Sequence, residues 1–198
     1  GKANESVLNS ELALRLGRAV THYFQSTTHR KKPVIVIGKD TRLSCYMLEQ
    51  AFASGVCAQG GEAIFTGPLP TPGVAFVTKS LRANAGVMIS ASHNSFEDNG
   101  IKIFDQYGIK LPDEVEAELE FLLDNPSSMP LMTGVNIGRA RRVDEIRGRY
   151  IVFVKSVLDE KVNLEGLKIV LDCANGAAWR MGPMIFEESG VEVIPLGI

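Results

Sequence analysis

Short apolar runs alternate with amphipathic stretches along the first ninety residues. Three runs have the length and continuity of strands buried on both faces, namely 33–37, 62–65 and 86–89. Apolar residues at helical spacing occupy the stretches before and between these runs, at about 10–25, 44–59 and 71–81. This alternation predicts an α/β fold in which a mixed, mostly parallel sheet lies between helices.

Two of these helices have predicted start signals. Ser10 and Ser44 have the side chains that cap helix N-termini. In the first helix, the predicted core stripe consists of Leu12, Leu16, Ala19, Val20 and Tyr23.

The pattern changes after residue 100. Apolar and polar residues alternate on both sides of the turn formers at 105–108, and this pattern predicts a hairpin over 101–111. An acidic helix to about residue 124 follows. Residues 125–138 hold Pro, Ser and Gly and predict a linker, and Arg139–Arg142 (RARR) is interpreted as a solvated face of it.

Beyond the linker, the helix–strand pattern begins again. We predict a helix at 144–158, a strand at 167–171, a helix at 177–189 and a strand at 191–194. We therefore divide the chain into a first domain, residues 1–138, and the incomplete beginning of a similar second domain, residues 139–198. The chain has no initiating Met and ends just after a predicted strand, so we expect a fragment.

Composition narrows the class of protein. In 198 residues, 45% are hydrophobic and 22% are charged, which is ordinary for a globular protein. The formal net charge of −2 predicts no general attraction to nucleic acid or anionic lipid. No apolar run approaches the roughly 20 residues that span a bilayer. The three cysteines, Cys45, Cys57 and Cys173, are scattered, which favours reduced thiols in a cytoplasmic protein.

Candidate chemistry is concentrated in residues 86–104, where a buried strand opens into a polar loop. In open α/β sheets, ligands bind at the carboxyl ends of the strands. The loop offers hydroxyls, an imidazole, carboxamides and a cation, carried by Ser90, Ser92, Ser95, His93, Asn94, Asn99 and Lys102. Hydrogen-bond donors and positive charge suit a phosphate, and a serine could itself carry a phosphoryl group.

The motif SASHN at 90–94, followed by DNGIK at 98–102, resembles the active-site loop of the α-D-phosphohexomutases. This family includes phosphoglucomutase, phosphomannomutase and phosphoglucosamine mutase. Three further segments are similar to family motifs: GKDTRLS at 38–44, TGPLPTP at 66–72 and DCANGA at 172–177. DNGIK and DCANGA favour the phosphoglucosamine mutase branch, which converts glucosamine 6-phosphate to glucosamine 1-phosphate.

The resemblance implies a role for each loop residue. Ser92 would carry the phosphoryl group, Lys102 would handle charge or a proton, and His93 would orient the loop or bind the substrate. Asn94 and Asn99 would support the loop or the substrate.

Two residues of the GKDTRLS segment are given a structural role. We interpret Asp40 and Arg42 as an internal ion pair that fixes a turn beside the site.

The resemblance also implies partners. It predicts a sugar phosphate as substrate and Mg²⁺ as cofactor in the complete protein. The metal would be held by the phosphate on Ser92 and by aspartates that lie outside this chain, since no Asp-x-Asp occurs in it. We therefore expect the 198 residues alone to be inactive. Whether the protein forms a homodimer is left open by the resemblance.

Two departures and three alternatives accompany this interpretation. Ser95 replaces a usual proline, and Cys45 replaces a usual glycine. The chain could instead act on glucose or mannose phosphate, because the sugar-reading loop lies outside it. It could be a serine hydrolase using Ser92 and His93, although no G-x-S-x-G elbow is present. The fragment could also be a non-catalytic sugar-phosphate-binding module.

Overall fold

The computed structural model describes residues 1–5, 7–28, 30–159 and 161–198. Its helices are α1 (Ser10–Thr28), α2 (Leu43–Ala58), α3 (Thr71–Ser80), α4 (Asp113–Asp124), α5 (Ile146–Ser156) and α6 (Met181–Glu187). Its strands are β1 (Val34–Lys39), β2 (Glu62–Pro68), β3 (Ala85–Ile89), β4 (Ile101–Phe104), β5 (Arg139–Arg142), β6 (Lys168–Asp172) and β7 (Glu192–Leu196). Short 3-10 turns occupy Pro126–Ser128 and Gly134–Asn136.

The first five strands form one sheet in the order β4-β3-β1-β2-β5. β3, β1, β2 and β5 run parallel, and β4 pairs antiparallel with β3. The chain passes from β1 to β2 on one side and then crosses to β3 on the other side of β1. The loops that leave β1 and β3 therefore lie side by side at a topological switch point, where α/β sheets bind ligands.

Helices cover both faces of this sheet. On one face, β1 side chains Ile35 and Ile37 pack with α1, α2 and α4. On the other face, Val36 of β1 packs with α3 and α5. Strand side chains alternate between these two cores because successive residues of a strand point to opposite faces. The predicted α/β class, a mixed and mostly parallel sheet between helices, is confirmed.

The start and the buried stripe of α1 differ from the prediction. The side chain of Asn9, not Ser10, accepts the Leu12 N–H at 2.8 Å and caps the helix. Of the predicted stripe, Ala19 and Val20 are buried, and Leu16 and Tyr23 pack partly buried against the core. Ala13, Gly17 and Phe24 are also buried, whereas Leu12 is not part of the core. The cause is the close crossing with α2, where backbone contact requires glycines that an apolar count does not register.

Helix α2 begins one residue before the predicted cap. Its N-cap residue is Arg42, and no side chain caps it. Ser44 therefore lies inside the first turn, where its hydroxyl accepts a hydrogen bond from Asn99 Nδ2 at 2.9 Å.

The predicted hairpin at 101–111 forms only in part. β4 takes β3 as its strand partner, and a single bridge joins Phe104 to Lys110. The Asp105 carboxylate accepts the backbone N–H groups of Tyr107 and Ile109, which closes the turn. Pairing with β3 wins because it buries Phe104 against the sheet.

The interpretation of Arg139–Arg142 as a linker face is wrong in one respect. All four residues are exposed, as expected, but they form strand β5, which pairs parallel with β2. Glu62 of β2 forms ion pairs with Arg139 at 3.0 Å and with Arg141 at 2.6 Å. These ion pairs hold β5 against β2 in the absence of large apolar side chains. The division of the chain at residue 138 stays a prediction; β5 follows that point and still belongs to the first sheet.

The remainder of the described chain forms a small parallel pair, β6 and β7, with α6 between them. The helix is shorter than the predicted 177–189, because residues 177–180 form turns. No helix formed by the described residues is long and apolar enough to cross a bilayer.

Candidate active site

An open cleft of about 770 Å³ lies at the carboxyl ends of the parallel strands. Its floor and one wall come from the loops that follow β1 and β3 and from the first residues of α2 and α3. Ser92, His93, Asn94, Asp40 and Arg42 all line it, so the structure brings these predicted site residues together. Helix N-termini carry free N–H groups and partial positive charge, which favours an anion at this position.

Ser92 is exposed to the cleft and has a left-handed backbone, with φ of 59°. This conformation costs a residue other than glycine about 1–2 kcal/mol. The Ser92 N–H donates to Ser90 Oγ at 3.0 Å, which helps to hold the turn in this shape. The result is a hydroxyl that projects into open space rather than into the core.

A single guanidinium group holds this loop from below. Arg42 Nη2 donates to the carbonyl oxygens of Ser92 and Asn94, each at 3.0 Å. Its Nη1 donates to the carbonyl oxygen of Asp98 at 3.1 Å and to that of Ser95. Arginine suits this task because its planar fork presents five donors in fixed directions.

Asp40 orients the guanidinium group of Arg42. Arg42 Nε donates to Asp40 Oδ2 at 2.9 Å, and both side chains are about nine-tenths buried. Asp40 also accepts the Thr41 N–H at 2.7 Å and the Ser90 hydroxyl at 3.3 Å. The structure thus forms the predicted ion pair and links it directly to the loop after β3.

Asn99 lies below the loop and away from the cleft. Its buried Nδ2 donates to Ser44 Oγ at 2.9 Å and to Cys45 Sγ at 3.1 Å. Burial raises the pKa of the Cys45 thiol, so it stays protonated and donates to the Ile89 carbonyl at 3.3 Å. Cys45 therefore sits in the first turn of α2 without disturbing it. Asn99 holds the loop and does not contact the cleft.

The two remaining candidates, His93 and Lys102, differ in position. His93 is exposed, lines the cleft and has Nδ1 3.5 Å from Ser92 Oγ. Lys102 is an exposed residue of β4 and is not one of the described residues that line the cleft. Lys102 pairs in register with Met88, which does line it. Directly paired residues share a face, so Lys102 faces the same side of the sheet.

Sequence reasoning missed the opposite wall of the cleft, which consists of residues 174–177. Ala174 and Asn175 have left-handed backbones, with φ of 48° and 51°. The Asn175 carbonyl accepts the Thr41 hydroxyl at 2.6 Å, which ties this wall to the loop after β1. A turn signal was available, because an Asn-Gly pair at 175–176 lies in the loop that follows the predicted strand at 167–171, at the edge where parallel sheets bind ligands.

Metal ligands are not clustered in this part of the protein. The described residues contain no group of three or more His, Cys, Asp or Glu side chains that could hold a metal ion. The one acid that lines the cleft, Asp40, is already engaged by Arg42 and Thr41.

Comparisons with known proteins agree with this arrangement. The profile described as phosphoglucomutase/phosphomannomutase, alpha/beta/alpha domain I, matches residues 1–128. The chain is 52% identical over 199 aligned residues to phosphoglucosamine mutase of Pelobacter propionicus and 50% identical over 201 to that of Geobacter metallireducens. Each alignment covers 100% of this chain and 44% of the relative, so the chain spans less than half of their length.

A solved structure shares the fold. The phosphoglucomutase/phosphomannomutase family protein from Burkholderia thailandensis matches with a TM-score of 0.81 at 24% identity. The match covers 100% of this chain and 42% of that one. The fold and the cleft define an α/β protein with an open cleft beside the loop after β3. The chain belongs to the phosphoglucomutase/phosphomannomutase family.

Proposed function

We propose that the full-length protein moves a phosphoryl group between two hydroxyls of a hexose phosphate, with Ser92 as the covalent carrier. The observation that supports this most is the exposed hydroxyl of Ser92 at the mouth of an open cleft. The Arg42 hydrogen bonds hold the loop that presents it, although a relaxed backbone at Ser92 would cost less energy.

The proposed reaction has two transfers. In the first, the bond between Ser92 Oγ and phosphorus breaks as a sugar hydroxyl oxygen bonds to that phosphorus. The proton of the sugar hydroxyl passes to Ser92 Oγ, directly or through Lys102. A bisphosphorylated sugar results, and the reverse chemistry at its other phosphate restores phospho-Ser92. Such transfers depend on positioning and on neutralising charge.

The chain's own residues supply positioning rather than most of the charge. The donors of Arg42 are all hydrogen-bonded to backbone carbonyls and to Asp40, so Arg42 shapes the loop and does not contact the phosphoryl group. His93, 3.5 Å from Ser92 Oγ, can donate to a phosphate oxygen there. Lys102 faces the same side of the sheet and can offset negative charge.

We further propose that Mg²⁺ serves as cofactor. The phosphate on Ser92 would provide one of its ligands, and carboxylates outside the present residues would provide the others. Bound Mg²⁺ would supply neutralisation of negative charge on the phosphoryl oxygens.

Glucosamine 6-phosphate is the substrate we propose. The support is the name of the relatives, phosphoglucosamine mutase, at 50–52% identity. Incubation of the full-length protein with Mg²⁺ and glucosamine, glucose or mannose 6-phosphate tests this. We expect the fastest conversion with glucosamine 6-phosphate. Faster conversion of either other sugar would contradict the assignment.

A matched pair of serine variants tests the carrier. Ser92→Ala should abolish conversion, whereas Ser95→Ala should keep it, because Ser95 contributes its carbonyl oxygen to Arg42 and its hydroxyl has no partner among the described residues. Full conversion of the hexose phosphate by Ser92→Ala would contradict the proposal.

A serine hydrolase fits the geometry less well. Such an enzyme needs a histidine that is itself oriented by a third group. His93 contacts Ser92 at 3.5 Å but has no carboxylate partner among the residues that the structure describes. The imidazole is therefore not held as a general base for its neighbour.

A further inference from the structure

A second cleft, smaller and more enclosed, lies beside the candidate active site. Its volume is about 220 Å³, and it is lined by the end of β2, the end of β5, the start of α5 and the turn before α6. Three arginines line it, namely Arg142, Arg147 and Arg180, against a single carboxylate, Asp144. We propose that this cleft binds a phosphate group, either free or as a small phosphate ester.

The side chains of the three arginines have no hydrogen-bonding or anionic partner in the part of the chain that the structure describes. Within the described ranges, the guanidinium groups of Arg142, Arg147 and Arg180 form no hydrogen bond and no ion pair, not even with Asp144. The neighbouring arginines of β5 behave differently, since Arg139 and Arg141 are both bound to Glu62. The second cleft therefore brings together three guanidinium groups that no carboxylate of the described residues compensates.

Local structure favours an anion beside these arginines. Arg147 lies in the first turn of α5, where the helix dipole disfavours a cation. Arg180 packs over the Trp179 ring, 4.4 Å from its centroid, which fixes the direction of its guanidinium group. A guanidinium group matches the geometry of phosphate oxygens, and an anion here would also suit the positive end of the α5 dipole.

The size of the cleft limits the ligand. Pockets for drug-sized molecules usually measure about 300–1,000 Å³. At about 220 Å³, this cleft matches a phosphate with a small substituent.

The bound anion would also join two parts of the chain. Arg142 ends β5 of the first sheet, whereas Arg180 directly precedes α6 of the smaller pair. The loop after β2 and the turn before α6 line both clefts, since Pro68 and Trp179 line the smaller cleft while Pro70 and Ala177 line the larger one. A phosphate here would hold the two walls of the active cleft at a fixed separation.

Equilibrium dialysis with radiolabelled inorganic phosphate tests the site. The measurement uses full-length protein carrying Ser92→Ala, so that covalent phosphorylation does not enter the count. In that background, Arg142→Gln with Arg180→Gln should remove one bound phosphate or weaken its binding at least about tenfold. Arg141→Gln, which removes a charge from the same strand outside the cleft, should change neither number.

Further arms make the outcome decisive. Arg142→Lys with Arg180→Lys should restore part of the binding, because lysine returns the positive charge without the paired N–H donors of a guanidinium group. Circular dichroism checks that each variant is folded. Glycerol 3-phosphate competing better than inorganic phosphate assigns the site to an ester, and the reverse assigns it to free phosphate. Unchanged binding in the glutamine double variant, or an equal loss in Arg141→Gln, would overturn the proposal. No arm requires turnover, so failure here is distinct from failure of the mutase proposal.

Discussion

One buried arginine determines the shape of the loop that presents Ser92. Arg42 reaches four backbone carbonyls between Ser92 and Asp98 while its Nε stays on Asp40. The chemistry of the exposed hydroxyl therefore depends on a side chain that makes no contact with it. One residue reacts and another positions it. The Arg42 hydrogen bonds therefore explain how the loop keeps a single conformation despite the strained backbone of Ser92.

Replacing Arg42 should affect stability strongly. We expect Arg42→Gln to lower the free energy of unfolding by about 3 kcal/mol, because it leaves the buried Asp40 carboxylate without its cation. Arg141→Gln breaks an exposed pair with Glu62 and should cost less than about 1 kcal/mol. Urea denaturation of both variants measures the difference. Equal losses would show that burial of the Asp40 pair does not matter.

The backbone of Ser92 gives a second prediction. With φ of 59°, Ser92→Gly should be more stable than Ser92→Ala by about 1 kcal/mol, since glycine adopts this conformation without strain. Both variants should be inactive, because both lack the hydroxyl. A Ser92→Gly protein that is less stable than Ser92→Ala in urea denaturation would mean that the turn relaxes in solution.

Strand β5 and the wall at 174–177 were harder to predict from the sequence than the central strands. The strands with continuous apolar runs and the SASHN loop could be located from sequence, because burial on both faces and a polar loop leave clear patterns. β5 could not, since RARR has no apolar residue except alanine and is held by charges on the neighbouring strand. The wall at 174–177 depends on two left-handed residues whose placement only the folded chain reveals.

Helices α1 and α2 cross at two glycines, which gives a test of their packing. A Cβ on Gly55 would collide with the Leu14 carbonyl, and one on Gly17 with the Phe52 carbonyl. Gly55→Ala should therefore destabilise the protein by at least about 2 kcal/mol in thermal or urea unfolding. Gly148→Ala in α5 is the matched control; its Cβ meets nothing within 4 Å, so it should stabilise by about 0.5–1 kcal/mol.

The attachment of β5 to β2 should depend on pH. Partial burial acts to raise the pKa of Glu62, but hydrogen bonds from Arg141 and Arg139 outweigh it and lower the pKa below the ordinary 4.5. A lowered pKa in the folded state means that the stabilisation is present above pH 4.5 and is lost as pH falls through the folded value.

Denaturation at pH 7 and in acid measures this contribution. The stability difference between wild type and Glu62→Gln should be largest at neutral pH and shrink below the ordinary pKa of 4.5. A difference that stays constant or grows in acid would contradict the assigned ion pairs.

The described chain combines a five-stranded first sheet with a small pair of strands, and the candidate cleft lies between them. The first sheet supplies Ser92, His93 and their supports, while residues 174–177 close the other side. The described residues hold no metal-ligand cluster, and the cleft is open. Since the chain covers 44% of its relatives' length, we predict that the 198 residues alone show no mutase turnover. A coupled assay on this chain checks that prediction, and measurable turnover would contradict it.

The claim on which the rest depends is that Ser92 carries a phosphoryl group, and mass spectrometry tests it directly. Full-length protein purified from cells is digested, and the peptide containing Ser92 is measured before and after phosphatase treatment. We expect the mass of one phosphate on this peptide, located by fragmentation at Ser92 and absent in Ser92→Ala. A peptide that is never phosphorylated, or a phosphate located at Ser90 or Ser95, would contradict the account.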